Sequence, residues 1–168
     1  MKEIIDKIRN KRDCIVYPPN GKIKIENEMT LPSDLVEFYK LCGGILFYEK
    51  SGLPIEIVPP YAFTRANPII IGEEWKEDIS YSWFIVGRSE NSGGQYITID
   101  TDKKRLGQCY DSFWDKHASL NCPIIAKSFS ELLERLYSSD GEEWYWDVDE
   151  FEVYGFAHDS LPYNTTIS

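Results

Sequence analysis

Ile4, Ile5 and Ile8 recur at helical spacing among Lys2, Glu3, Asp6, Lys7 and Arg9, which predicts an amphipathic helix running to about Arg12. Turn-forming residues follow at Tyr17-Pro18-Pro19-Asn20-Gly21. Ile23 and Ile25 then alternate with Lys22, Lys24 and Glu26, as in a brief strand. A second helix is expected to start near Leu31-Pro32-Ser33-Asp34. Proline there lacks only an N–H that would have no intrahelical partner, and Asp34 answers the positive end of the helix dipole. Leu35, Phe38, Tyr39 and Cys42 follow the i, i+3, i+4, i+7 spacing of one buried face, and Gly43-Gly44 is expected to supply a left-handed cap.

From Ile45 the vocabulary becomes short apolar runs separated by Gly, Pro, Asn and Ser. Strands are predicted at Ile45 to Tyr48, Ile55 to Val58, Ile69 to Ile71, Trp83 to Val86, Gln95 to Asp100 and Gly107 to Asp111. Gly87 to Gly94 and Thr101 to Gly107 read as successive hairpin loops, which suggests an antiparallel meander. The clearest helix comes last: Ser128 stands three residues before Glu131 as in a capping box, and Phe129, Leu132, Leu133, Leu136 and Tyr137 form one stripe. That stripe has to be buried against the sheet. Beyond Asp140-Gly141, residues 142–154 fit a strand through Trp144, Trp146 and Val148, and fit a helix equally through Trp144, Val148 and Phe151.

A length of 168 residues suits one domain, and 42% hydrophobic residues with 5 Trp, 11 Tyr and 8 Phe are enough for a real core. The longest apolar runs have four residues, against about 20 for a membrane-spanning helix. Charges interrupt every apolar stretch near Met1, unlike the centre of a signal peptide, so a cytoplasmic location is expected. Cys14, Cys42, Cys109 and Cys122 form no C-x-x-C pair and are expected as reduced thiols. Cys109, His117 and Cys122 lack the close ligand pairs of a zinc site, and His158 has no partner nearby, so no metal is expected. No spacing couples either histidine to a nucleophile. Gly93-Gly94 is not followed by the Lys-Ser/Thr of a phosphate cradle. Asn164-Thr165-Thr166 matches a glycosylation acceptor, which has no role without export.

Charge is distributed unevenly. The net charge is -10, yet the last basic residue is Arg135, and residues 136–168 contain eight acids with no lysine or arginine. Such a balance repels a nucleic-acid backbone, whose binding draws on Lys and Arg. It suits a basic protein partner instead. Three readings fit the aromatic acidic stretch at 142–154. Its aromatics complete the core; or they anchor a partner, with acids at the rim; or two acids flank a sugar as in a glycosidase, for which the sequence shows no opposed pair.

Leu31-Pro32-Ser33-Asp34-Leu35 with Phe38-Tyr39 and Gly43-Gly44, then a glycine-rich hairpin into Tyr96-x-Thr98-x-Asp100, then Ala126-Lys127-Ser128-Phe129 with Leu132-Leu133, resembles the SUKH superfamily. This group holds fungal cell-wall assembly regulators and many bacterial toxin-immunity proteins. Cys42 and Gln95 depart from the asparagine and aspartate usual at those positions. The resemblance covers roughly residues 1 to 138. It implies a non-enzymatic α+β domain whose bacterial members bind and neutralise a cognate toxin, often a nuclease, with no shared functional residues to carry over.

The expectation is therefore one α+β domain over 1–168, a twisted and mainly antiparallel sheet with N- and C-terminal helices packed against it and an acidic aromatic extension from about 139. The function expected is that of an immunity protein covering a toxin's active surface. The alternative is an intracellular scaffold or regulatory module without a toxin. Glu143, Trp144, Trp146, Asp147, Asp149, Glu150 and Glu152 are the candidate partner-binding residues. Catalytic, cofactor and metal residues are not expected.

Overall fold

Seven strands follow one another in chain order across a single antiparallel sheet in the computed structural model, which describes residues 1–24, 26 and 29–159. They are β1 (Ile15–Val16), β2 (Ile45–Phe47), β3 (Ile55–Ile57), β4 (Trp83–Ser89), β5 (Gln95–Asp100), β6 (Cys109–Asp111) and β7 (Ile124–Ala126). The helices are α1 (Lys2–Arg9), α2 (Ser33–Leu41), α3 (Ala66–Ile70) and α4 (Phe129–Ser138). This is the α+β class the sequence implied. Register places Ile45, Ile57, Gly87 and Ile97 side by side on one face, and Glu56, Arg88 and Tyr96 on the other. The central strands β4 and β5 are buried along almost their whole length.

Burial of the apolar stripes explains where the helices lie. Leu132, Leu133 and Leu136 are buried, and α4 touches α1, α2 and β7. Phe38 meets Phe129 edge to face at 4.9 Å. Asp34 joins the two helix starts, accepting hydrogen bonds from the Ser130 backbone N–H at 2.8 Å and the Ser130 hydroxyl at 3.0 Å. At the head of α4 the Ser128 hydroxyl accepts from the Glu131 N–H at 3.1 Å. The Glu131 carboxylate reaches back to the Lys127 N–H at 2.7 Å, one residue earlier than a standard capping box requires.

The Tyr96-x-Thr98-x-Asp100 motif ends in a buried polar hub. Asp100, fully buried, accepts from Ser82 Oγ at 2.7 Å, Trp83 Nε1 at 3.0 Å, the Asp102 N–H at 2.9 Å, Arg105 Nε at 2.8 Å and Tyr110 OH at 2.9 Å. Trp83 stacks on Tyr110 with ring centres 4.1 Å apart. One carboxylate thus fixes β4, β6 and the loop returning from β5. A buried charge is tolerable only with such compensation.

Several expectations need correction. Ile69 to Ile71 is not a strand: Ala66–Ile70 is helical, with Pro68 in its first turn and the Asn67 carbonyl accepting from Ile71 and Gly72. An apolar run of three carries no period, and Ile69 faces solvent. Gly43-Gly44 does not cap α2 in the left-handed region, because Cys42 leaves the helix with φ -154° and Gly43 has no positive φ. The glycines permit close approach instead. A Cβ on Gly43 would lie 2.3 Å from the Pro18 carbonyl oxygen, and one on Gly44 2.7 Å from that of Ile57. The stretch Lys22 to Lys24 is irregular, with no strand beside it to pair; Ile25 lies outside the described residues, as does Asn164-Thr165-Thr166. The hairpin loop is shorter than expected, since a bulge between Ile85 and Gly87 lets β4 continue to Ser89. β1 and β7 are two and three residues long and gave no pattern to read.

Candidate partner-binding site

Residues 142–154 are neither strand nor helix. They form successive turns, with the Asp147 N–H bonded to the Trp144 carbonyl and the Phe151 N–H to that of Val148. The reason is visible in Tyr145, which belongs to neither predicted stripe. Tyr145 and Trp146 are adjacent and both buried, each held by contacts to residues distant in the chain or across the turn rather than by a repeating period. Tyr145 donates its hydroxyl to the Ile125 carbonyl at 2.8 Å, and its ring meets those of Trp146 and Phe151 edge to face. Trp144 stacks parallel to Trp146 at 5.5 Å. Further on, the Tyr154 N–H bonds to the Ile124 carbonyl, the Ile124 N–H to that of Gly155 and the Ala157 N–H to that of Cys122, so the tail covers the outer edge of β7.

Between this tail and α4 lies an open cleft of about 670 Å³. One wall is the polar face of α4, Glu131, Glu134, Arg135 and Ser138 at i, i+3, i+4, i+7; the other is Glu142, Glu143, Tyr145, Val148, Glu150 and Phe151. Five glutamates therefore line it with one arginine. Arg135 is already engaged: its Nε donates to Glu131 at 2.9 Å, another guanidinium nitrogen donates to Tyr154 OH at 2.6 Å, and the group lies 4.8 Å from the Phe151 ring centre. The Tyr154 hydroxyl in turn donates to Glu131. Burial pushes the Glu131 carboxyl up, but hydrogen bonds from Tyr154, the Lys127 N–H and Arg135 outweigh it and hold Glu131 below the usual carboxylate range.

The other acids of the tail are exposed, and among the described residues Glu142, Glu143, Asp149, Glu150 and Glu152 form no ion pair. Of the sequence-predicted residues, the cleft brings together Glu143 and Glu150. Asp147 points elsewhere, 3.9 Å from Lys116, and burial with Asp111 nearby raises its carboxyl despite that lysine. Trp146 is in the core and Trp144 half-buried over it, while Asp149 and Glu152 are exposed outside the cleft lining. Glu131, Glu134, Arg135 and Glu142 also line the cleft and are not among the sequence-predicted residues. The first three were legible as the polar face of α4, but nothing local announces that the tail folds back across them.

His117 is buried and bonded through Nε2 to Asn67 Oδ1 at 2.7 Å, and burial pushes it down to about 4, with Asp78 opposing. It is a neutral core residue stacked edge to face on Trp83. All four cysteines are free; burial pushes the Cys42 thiol up to about 11 and Cys122 up to about 12. Among the described residues, no cluster of His, Cys, Asp and Glu is arranged to hold a metal, and no helix is long and apolar enough to cross a membrane.

Residues 23–135 match the SMI1 / KNR4 family (SUKH-1). The chain belongs to this family. Membership accounts for the α2, hairpin and α4 motifs, and the match ends at Arg135, the last basic residue. The chain is also 42% identical over 159 residues to the protein named Immunity protein YokJ of Bacillus subtilis (strain 168), covering 94% of this chain and 95% of that one. Most of the acidic tail therefore falls within a likeness that the family match does not reach. No solved structure matches the chain significantly.

Proposed function

We propose that this SUKH-1 protein is an immunity protein, which neutralises a toxin by binding it and does so without catalysis. The observation that carries the reading is the near full-length likeness to a protein named for immunity. The unpaired acids of the tail support a basic partner, and the cleft between α4 and the tail is where such a partner gains most. Glu143 and Glu150 act there, with Glu131, Glu134 and Glu142 adding to the field. Asp147, Asp149 and Glu152 extend the acidic surface around it. Trp144 and Trp146 support the surface from beneath.

The mechanism is steric and electrostatic. Glutamates on a surface held rigid by Arg135 and Tyr145 attract a basic toxin surface from a distance, and the complex then covers it. If that toxin is a nuclease, its phosphate-binding groove is basic and the acidic face competes with nucleic acid for it. Both proteins meet in the cytoplasm. The test is affinity capture from the source cell at low and high salt, followed by production of the captured protein in a second host with and without this chain. Growth arrest relieved by this chain is the expected result. A captured scaffold component that is harmless alone would favour the regulatory alternative.

A further inference from the structure

Trp114 is the most exposed of the five tryptophans, at 60%. Single exposed apolar side chains are ordinary. Three features set this one apart. Its backbone N–H donates to the Gly94 carbonyl at 3.1 Å and its ring lies directly on Gly94, where a Cβ would come within 3.0 Å of Trp114 Cδ1. The turn that carries it stands on a buried carboxylate: Asp111 accepts from Gln95 Nε2 at 2.9 Å, the Phe113 N–H at 3.3 Å and Lys116 Nζ at 2.7 Å. Finally, an acid stands beside it and the cation of the same turn is already paired. Asp115 is exposed beside it, and Lys116, the one cation on this turn, is drawn towards Asp111 and Asp147.

A side chain held in place loses little further freedom on binding, and tryptophan is among the residues that carry most interface energy. Its ring face attracts cations, and the acid beside it favours the same charge. The turn also meets the tail, since Lys116 lies 3.9 Å from Asp147, the residue before Val148 of the cleft lining.

We propose that Trp114, seated on Gly94 beside the exposed Asp115, is the aromatic anchor that receives an arginine side chain from the basic surface of this protein's partner. The anchor rests on the reading of the chain as a binder of a basic protein. Hexa-arginine titrated into the isotope-labelled full chain tests it by nuclear magnetic resonance, with hexa-glutamate as control. The largest shifts are expected at the Trp114 indole N–H and the amides of Gly94 and Asp115. Trp114→Ala should weaken binding about tenfold with unchanged thermal unfolding, and Trp114→Phe should retain most of it. An unmoved Trp114 indole with shifts confined to residues 142–150, or unchanged affinity in Trp114→Ala, overturns the anchor and leaves the acidic-cleft reading intact. Absence of any shift overturns it too. Failure of the immunity reading shows separately, as a captured partner that does not arrest growth.

Discussion

Asp100 and the tail acids put the same chemical group to opposite uses. Asp100 is fully buried and accepts five hydrogen bonds from three segments of chain, whereas Glu143 and Glu150 are exposed and, among the described residues, form no ion pair. A buried carboxylate without partners would cost several kcal/mol, so each bond at Asp100 is a condition of folding. An exposed carboxylate costs nothing in the fold and contributes nothing to it. The acids beyond Arg135 repel one another only weakly through solvent, and in the function proposed above they serve a basic partner.

Removing the hub is the largest perturbation that follows from this contrast. Asp100→Ala strands the Trp83 N–H and takes from Arg105 its buried carboxylate partner, leaving Arg105 to Asp102 and Tyr110 to Gln108, and should cost about 3 to 5 kcal/mol by urea denaturation. Glu150→Ala should leave the same midpoint unmoved. If both variants shifted it alike, the contrast would be lost.

Leu133→Ala tests the apolar counterpart of the hub. Leu133 is fully buried on α4, the helix that forms one wall of the cleft, and its truncation should cost about 2 to 5 kcal/mol. An unchanged denaturation midpoint would mean that α4 is not docked through this stripe.

His117 supplies a pH dependence from within the core. Its value falls from the ordinary 6.5 to about 4 on burial, so the unfolded chain binds a proton that the folded chain refuses between those limits. The stability it contributes is complete above pH 6.5 and is lost as pH falls towards 4, by up to about 3 kcal/mol. His117→Gln should flatten that part of the stability curve relative to the unmodified protein. Parallel curves would place the titration elsewhere.

The sheet and the helices that cover it were legible because their stripes keep one period for long enough. The i, i+3, i+4, i+7 series of α2 and α4, and the alternation through Gln95 to Asp100, each correspond to an observed element. Short segments failed for want of length: the isoleucines at 69–71 suit a strand, yet Asn67-Pro68 turns them into a helix. The tail failed for a different reason. Its aromatics are buried individually by tertiary contacts, Tyr145 to Ile125 and Tyr154 to Glu131 and Arg135, so no period could report them. Composition alone reported the charge of the candidate cleft, and only the fold showed that α4 forms one of its walls.

The smallest structural change carries the central claim. Glu143→Lys with Glu150→Lys alters two exposed side chains of the cleft and should leave circular dichroism and thermal unfolding unchanged. Association of this variant and of the unmodified protein with the captured toxin is measured across an ionic-strength series. The variant should associate more slowly, with the gap closing as salt screens the field. Equal rates and equal salt slopes, with the fold intact, would contradict the assignment of the acidic tail to partner binding.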